Sequence, residues 1–456
     1  MTAAKTIAFF PEPGAWGPTN NCSAMAEVLR ARGHRVVFVV DESFGGVLEA
    51  RGFDERLFRM APPDDEAGSG DAGSDEADDP WAEFIRVTAP EFRKPTIEQI
   101  ETVTKPIWQA LVTGEQHSHE RVMAIWDEVR PDVVVTDNVT GYPAIELAGV
   151  PWVRVVSCNP LEMRDPDLPP PLSGLPVSDR REWRAFRDEY HRAHADLLAE
   201  HNEFRSSVGA ESCPPDEFNV ASPWLDLYEY PAAADYRRSR PLTEVWHRLE
   251  SSVRSGEPPF DVAARLPGSG KVIYLSLGSL GCMDVDLMQR LIDALAKTAH
   301  RVIVSMGPLK DRLRLGPRMY GDEFLPQPSI LPQCDLLITH GGNNTICEGF
   351  SFGLPMIALP LFWDQYDNAQ RLAETGFGAR LQTYEWSEGQ LVETVGRLLD
   401  DDGLRGRMRA IAQQVRSRPG EVRGADLIEQ LALTGRPVVR PVRQAAPAPV
   451  QTPPPL

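Results

Sequence analysis

Long apolar runs and clusters of basic residues are both missing from this 456-residue chain. No segment approaches the about 20 consecutive apolar residues that a membrane-spanning helix needs, and the first apolar run is too short for a signal peptide. The chain has 47 Lys and Arg residues against 66 Asp and Glu residues, which gives a formal net charge of −19. Because nucleic acids and anionic membranes require clustered basic surface, neither is an expected partner. We expect a cytoplasmic protein.

Cysteine is also scarce, and its spacing does not suit a metal site. The six cysteines are far apart, and several have apolar neighbours, which is typical of free thiols in a reducing compartment. His117 and His119 are two residues apart, but no third ligand follows at a suitable spacing, so a solvated helix start is the favoured interpretation. His191, His194 and His201 lie in a charged helical run and are expected at the surface. No metal and no cofactor are predicted.

Apolar strands alternating with amphipathic helices dominate the rest of the chain. This order predicts an α/β fold with parallel sheets covered on both faces. In the first half, strands are predicted over 6–10, 35–40, 132–136 and 152–156, with a helix from about 21 to 32. Residues 160–241 show Pro-rich loops and a charged helix but no strong strand. A second series of alternating strands and helices starts near residue 271.

Composition divides the chain into two doubly wound domains. We predict a first domain over 1–245, a linker over 246–270, a second domain over 271–415, a helix over 416–436 and a disordered Pro-rich tail over 437–456. Within the first domain, residues 62–80 have eight acids and no base, so we expect a disordered acidic surface loop. An acidic docking or metal-binding segment is the less favoured alternative.

The segment "FLPQPSILPQCDLLITHGGNNTICEGFSFGLPMIALPLFWDQYDN", residues 324–368, contains the clearest chemistry. A strand over 336–339 runs into His340, two glycines and a helix, and the free N–H groups of such a helix start form an anion site. Glu348 follows just over one turn into that helix, within reach of ribose hydroxyls. Asp364 and Gln365 come after the next strand, where an acid and an amide can bind adjacent hydroxyls of a sugar.

These motifs resemble those of family 1 nucleotide-sugar-dependent glycosyltransferases, which have the two-domain GT-B fold and include UDP-glucuronosyltransferases and bacterial antibiotic glycosyltransferases. "FLPQ" is similar to the family's aromatic-x-Pro-Gln element, "THGGNNTICEG" to its His-x-Gly turn and "PLFWDQYDNAQRL" to its donor-sugar element. "YLSLGSLG" is similar to its Gly-Ser loop. The resemblance implies two Rossmann-like domains facing across a cleft, with the last helix packing back on the first domain.

The resemblance also implies a role for each motif residue. Phe324 is expected to stack on the nucleobase, Gln327 to border the ribose, and Glu348 to bind the ribose hydroxyls. His340, Gly342, Asn344 and Thr345 are expected to hold the diphosphate. Asp364 and Gln365 are expected to bind the donor sugar, with Ser279 on the opposite side of the site. The implied co-substrate is a UDP- or dTDP-sugar, and no metal is implied.

The first loop, "AWGPTNN" over residues 15–21, departs from the family pattern. The family usually has a histidine base in this loop, and alignment puts Pro18 at that position while keeping Asn20. Asp137 matches the acid that normally orients the histidine, and we predict that it is the base itself, with a turn-capping role as an equal alternative. Trp16, Asn20 and His117 are acceptor-side candidates.

The sequence therefore favours an inverting, metal-independent hexosyltransferase acting on a small hydrophobic acceptor, a natural product or xenobiotic with a phenol, amine or hydroxyl group. We expect a monomer or homodimer. The alternative is a catalytically silent GT-B protein that binds a nucleotide sugar without transferring it, because a general base typically contributes about 10²–10⁴ in rate. A sugar-nucleotide epimerase is a weaker option that the Asp364-Gln365 pair disfavours.

Overall fold

The structure, a computed structural model, describes residues 4–61 and 88–441. The predicted acidic loop over 62–80 and the tail beyond residue 441 lie outside these residues. Among the described residues, no helix combines the length and the apolar composition needed to cross a bilayer.

The first sheet has seven parallel strands in the order β3-β2-β1-β4-β5-β6-β7. Its strands are β1 (Thr6–Pro11), β2 (Arg35–Asp41), β3 (Asp54–Phe58), β4 (Val133–Asp137), β5 (Trp152–Val156), β6 (Leu225–Glu229) and β7 (Trp246–Leu249). The helices that accompany this sheet are α1 (Trp16–Ala31), α2 (Thr96–Gln99), α3 (Lys105–Val129), α4 (Pro143–Glu146) and α5 (Trp183–Val208).

The second sheet has six parallel strands in the order β10-β9-β8-β11-β12-β13. Its strands are β8 (Val272–Ser276), β9 (Arg301–Ser305), β10 (Met319–Asp322), β11 (Leu336–Thr339), β12 (Met356–Ala358) and β13 (Gly378–Arg380). The helices from the linker onward are α6 (Val262–Arg265), α7 (Gly278–Gly281), α8 (Val285–Leu295), α9 (Gln327–Ile330), α10 (Asn343–Phe352), α11 (Gln365–Thr375), α12 (Glu388–Asp400), α13 (Asp402–Arg416) and α14 (Gly420–Thr434).

Continuous apolar runs explain why the central strands are buried on both faces. In β1, Ile7 and Phe9 pack in the cluster that includes residues of α1 and α14, whereas Ala8 and Phe10 pack in the cluster that includes residues of α3. Helices on both faces are what a parallel sheet requires. The polar residues that follow these apolar strands therefore lie at the carboxyl edge of each sheet.

The last helix, α14, packs against the first domain. It contacts α1, and Arg32 of the α1 C-cap pairs with Asp426 and Glu429 at 2.6 and 2.7 Å. The chain then continues along the first sheet, where Val438 N–H donates to Trp224 O at 2.9 Å. Residues 437–441, predicted as the start of a disordered tail, are therefore held by the first domain.

Several predicted boundaries differ from the structure. Helix α1 begins at Trp16 rather than near Asn21, since Pro18 lies in the first turn, where the missing N–H costs no intrahelical bond. Residues 246–249, placed in the linker, form β7. Strand β6 lies in the region predicted to have no strong strand, and its sequence LDLYE mixes apolar residues with acids that are themselves buried.

Candidate active site

The candidate residues lie at the switch point of each sheet, where the direction of the strand connections reverses. In each sheet, two neighbouring strands, β1 and β4 or β8 and β11, lead into connections that run in opposite directions. Ligands of α/β proteins bind in the crevice at the carboxyl ends of such strands. The first crevice contains Asp137, and the second contains Ser279 and His340.

The two domains meet directly beside these crevices. The backbone N–H of Asn159, which follows β5, donates to Asp364 Oδ2 at 2.9 Å, and its side-chain Nδ2 donates to Asn368 Oδ1 at 2.8 Å. From the other direction, Asn344 Nδ2 donates to Gly17 O at 2.8 Å. The donor-side segment and the first domain thus border a single cleft.

The turn between β11 and α10 leaves a helix start open to this cleft. Gly341 has φ +94°, and a Cβ there would lie 3.0 Å from Gln365 O, so a side chain has neither the conformation nor the space it needs. Gly342 is the N-cap of α10, and the first turn contains no acidic residue. The N–H groups of this turn, which includes Asn344 and Thr345, can therefore meet an anion.

His340 is enclosed by two glycines. A Cβ added to Gly278 would lie 2.7 Å from His340 Cε1, and one added to Gly342 would lie 2.5 Å from Nε2. Burial lowers the pKa of His340 to about 4. The imidazole is accordingly neutral at physiological pH and can donate one hydrogen bond. Ser279, the residue after Gly278, is exposed.

The predicted nucleoside residues form a contact group. Gln327 Nε2 donates to Glu348 and, at 3.4 Å, to Thr345 Oγ1. Glu348 is 4% exposed, and burial raises its pKa, opposed by the nearby charge of Arg254 and by the Gln327 hydrogen bond. Phe324 is 68% exposed, which leaves its ring free for a planar ligand.

Arg254 was not predicted as a site residue, although it contacts this group. It belongs to the linker, and its Nη1 lies 3.5 Å from Glu348 Oε1, while its Nε pairs with Glu257 at 2.5 Å. Linker composition alone provided no signal for this contact. The linker therefore reaches the predicted ribose position.

The acid and amide after β12 have different surroundings. Asp364 accepts hydrogen bonds from Asn159 N–H and from Asn368 Nδ2 at 3.2 Å, and burial raises its pKa to about 7. Gln365 Oε1 accepts from Leu361 N–H and Phe362 N–H at 3.0 and 3.3 Å. The Gln365 carbonyl therefore stabilises the turn, which leaves its amide N–H groups for a ligand.

Asp137 is the last residue of β4, at the switch point of the first sheet. It is 3% exposed, and Ser157 Oγ donates to its Oδ1 at 2.9 Å. Burial raises its pKa to about 7, and the Ser157 hydrogen bond opposes the rise. A carboxyl group with this pKa is half ionised near neutral pH and can take up a proton there.

Two of the predicted acceptor-side residues, Trp16 and Asn20, lie one turn apart on α1, whereas His117 lies on α3. Trp16 is 39% exposed and packs on Phe44 with ring centroids 4.9 Å apart. Asn20 Oδ1 accepts from Arg51 at 3.4 Å. His117 is exposed in the middle of α3, so the interpretation as a helix start is wrong, and it is not among the residues that line the pocket described below.

An aromatic pocket opens beside Asp364. Its aromatic side is built from Trp108, which stacks on Phe218 at 4.5 Å and lies 5.1 Å from Trp363. Trp363 has φ +59°, a strained conformation for a bulky residue and one that often marks a functional site. The cavity also has polar walls, among them the ion pair of Arg154 with Glu162 at 2.7 Å.

Three buried polar residues were missed or misplaced by the sequence. Glu12, directly after β1, is 8% exposed although its Pro-rich context resembles a surface turn. Its only sequence signal is its position at the carboxyl end of a strand. His194 and His201, predicted at the surface, are 1% and 0% exposed because α5 buries one face against neighbours that include Phe218.

Comparison with known proteins places this geometry among sugar-transferring enzymes. Residues 260–420 match the family described as "UDP-glucoronosyl and UDP-glucosyl transferase". Oleandomycin glycosyltransferase of Streptomyces antibioticus is 26% identical over 94% of this chain and 91% of its own length. Zeaxanthin glucosyltransferase of Pseudescherichia vulneris is 27% identical over 68% of this chain and 76% of its own. The solved structure of glycosyltransferase VinC in complex with dTDP superposes with a TM-score of 0.63 at 16% identity, covering 93% of this chain and 99% of that chain.

Proposed function

We propose that this chain moves a hexose from a UDP- or dTDP-sugar to a small hydrophobic natural product or xenobiotic. The premise is that the chain belongs to the UDP-glucoronosyl and UDP-glucosyl transferase family and has the GT-B fold. The observation that carries the proposal is the open helix start at His340–Thr345. It faces the same cleft as Glu348, Asp364 and the aromatic cavity.

The donor binds along the second domain in this proposal. Phe324 stacks on the base, Gln327 and Glu348 hold the ribose, and the first turn of α10 holds the diphosphate. His340 donates a hydrogen bond to a phosphate oxygen as a neutral imidazole. The helix start supplies the positive potential that a divalent cation supplies in other transferases, so the proposed reaction is metal-independent.

The acceptor occupies the cavity between the domains. Trp108, Phe218 and Trp363 present aromatic surface there, which suits an apolar molecule with few polar groups. The names of the two relatives above refer to zeaxanthin and oleandomycin, which supports a natural product as the acceptor.

The chemical step inverts the anomeric carbon. The acceptor hydroxyl, phenol or amine attacks C1 of the sugar, the bond from C1 to the diphosphate oxygen breaks, and the nucleoside diphosphate leaves with the bonding electrons. Asp137 takes the proton lost by the acceptor, because Pro18 stands where the family's histidine base is expected. Asp364 and Gln365 hold the hexose hydroxyls during the transfer.

Two measurements test the proposal. Calorimetry with UDP, dTDP and their glucose conjugates should show binding that Glu348→Ala weakens, and a mass-spectrometric screen of phenols, amines and alcohols should yield a hexosylated product. The proposal fails if none of these nucleotides binds. Donor binding without any transferred or hydrolysed sugar would instead support a protein that only binds nucleotide sugars.

A further inference from the structure

The start of α10, which is the proposed diphosphate position, is also a contact between the two domains. Asn344 Nδ2 donates to Gly17 O at 2.8 Å, and Asn344 Oδ1 accepts from Asn21 Nδ2 at 2.9 Å. The side-chain amide of Asn344 is therefore bonded to α1 through its oxygen and its nitrogen. Its backbone N–H, in the first turn of α10, stays available to an anion.

The two contacts span the turn of α1 that contains Pro18. Gly17 and Asn21 are four residues apart in the helix, so they lie one above the other on the same face. Asn21 is 1% exposed, and a buried amide that loses its partner costs free energy. The side chain of Asn344 accordingly fixes where this turn of the first loop lies relative to the start of α10.

The neighbouring Asn343 makes a different contact between the domains. Its Nδ2 donates to Glu229 O at 3.0 Å, and Glu229 is the last residue of β6. This bond joins the same turn of α10 to the first sheet and not to the first loop. Two adjacent asparagines thus hold one helix start against two different parts of the first domain.

We propose, building on the proposed transferase function, that Asn21 and Asn344 are positioning residues that couple the first loop to the bound diphosphate. The backbone N–H of Asn344 binds the diphosphate, and its side chain holds the turn from Gly17 to Asn21 in register with it. The acceptor, whose proton goes to Asp137 of the first domain, is thereby kept in line with the bond from C1 to the diphosphate. The Asn344 side chain acts through the first loop and is not itself a phosphate ligand.

A comparison of rate with affinity separates this role from ligand binding. With UDP-glucose or dTDP-glucose and an acceptor that the screen shows to be hexosylated, Asn21→Ala and Asn344→Ala should each lower kcat about three- to tenfold. The double variant should fall no further than Asn344→Ala alone, because both substitutions remove the same contact. Calorimetric affinity for UDP should stay within about twofold in all three variants, since the backbone N–H groups of α10 remain.

Ser23→Ala is the matched control on α1. Ser23 is also fully buried, and its Oγ donates to Thr19 O at 2.7 Å, a bond within the helix. This variant should keep kcat and UDP affinity within about twofold of the wild type. The proposal is overturned if the losses in kcat for Asn21→Ala and Asn344→Ala multiply in the double variant. It is also overturned if Asn344→Ala weakens UDP binding by about tenfold or more, or if Ser23→Ala lowers kcat as much as Asn21→Ala does.

Hydrogen exchange tests the pair without turnover. UDP binding at α10 should slow amide exchange over residues 19–25 of α1 in the wild type, and Asn21→Ala or Asn344→Ala should remove most of this slowing. Asn343→Ala is the control, because it leaves the contact with Asn21 in place, and it should retain the slowing. Slowing that survives in both Asn21→Ala and Asn344→Ala would overturn the coupling.

The same measurement distinguishes failure of the pair from failure of the transferase proposal. If no nucleotide binds, the transferase proposal fails and the pair is tested in the free protein. Exchange over residues 19–25 should then be faster in Asn21→Ala and in Asn344→Ala than in Asn343→Ala. Equal exchange in the three variants would show that the amide contact does not hold the first loop.

Discussion

The two sides of the cleft differ in how they provide polar groups. On the donor side, His340, Glu348 and Asp364 come from one continuous stretch, 340–364, in the segments that follow β11 and β12. On the acceptor side, Glu12, Asp137 and Asn159 come from three strand ends that are far apart in sequence. The donor site is therefore recognisable as a motif, whereas the acceptor site exists only after the first sheet has formed.

The largest expected effect tests the acceptor side. Asp137→Asn should lower kcat/KM by about 10²–10⁴, since the amide keeps the Ser157 contact but cannot take up a proton. Calorimetric affinity for UDP or dTDP should be unchanged, because the proposed nucleotide site is in the other domain. An unchanged rate would show that this side of the cleft has no proton acceptor at Asp137.

The next effect concerns the donor side. Glu348→Ala should weaken UDP or dTDP binding by about ten- to a hundredfold, the value expected for losing hydrogen bonds to a charged group. Glu257→Ala is the control, because Glu257 also pairs with Arg254 but lies outside the motif. Equal losses in both variants would assign the effect to Arg254 rather than to contact between Glu348 and the ribose.

A smaller effect is expected when His340 is displaced without being removed. In Gly278→Ala, the new methyl group would collide with His340 Cε1, at 2.7 Å, and should weaken nucleotide binding about three- to tenfold. Gly376→Ala imposes a similar backbone strain, with φ +68° against +73°, but meets nothing within 4 Å. Both variants should lose stability in urea unfolding, and only the first should lose affinity for UDP.

The smallest effect is expected in the first loop. Pro18→His should leave kcat/KM within about threefold with phenolic and with aliphatic acceptors, because in the proposed reaction Asp137 already takes the proton. A rise of tenfold or more on aliphatic alcohols would contradict this expectation. It would indicate that Asp137 still orients a histidine when one is present.

Sequence information predicted the second domain better than the first. The start of α10 at Asn343 and strand β11 over 336–339 both agree with the prediction, since strong apolar runs end there in glycines. Strands β3, β10 and β13 were missed because they are short or lie at sheet edges, where the apolar pattern is weak.

The burial of Glu12 could not be predicted from its neighbours in sequence. Its side chain is held by Val139, 127 residues away, and its local context, "FFPEPG", is compatible with an exposed turn. Asn21 illustrates the same limit, since its Nδ2 donates to Asn344 Oδ1 at 2.9 Å across 323 residues. Local patterns indicate which side chains are polar, while the pairing of strands decides which of them meet.

The packing of α14 on α1 has a consequence for exchanging modules between related enzymes. A chimera cut only at the linker would bring a foreign α14 against α1 and lose the pairing of Arg32 with Asp426 and Glu429. The unit that can be swapped is the interior of the chain, from the end of β7 to the end of α13, with α14 and residues 437–441 kept from the recipient. Donor preference can then be transplanted while the recipient's acceptor half keeps all the helices that cover its sheet.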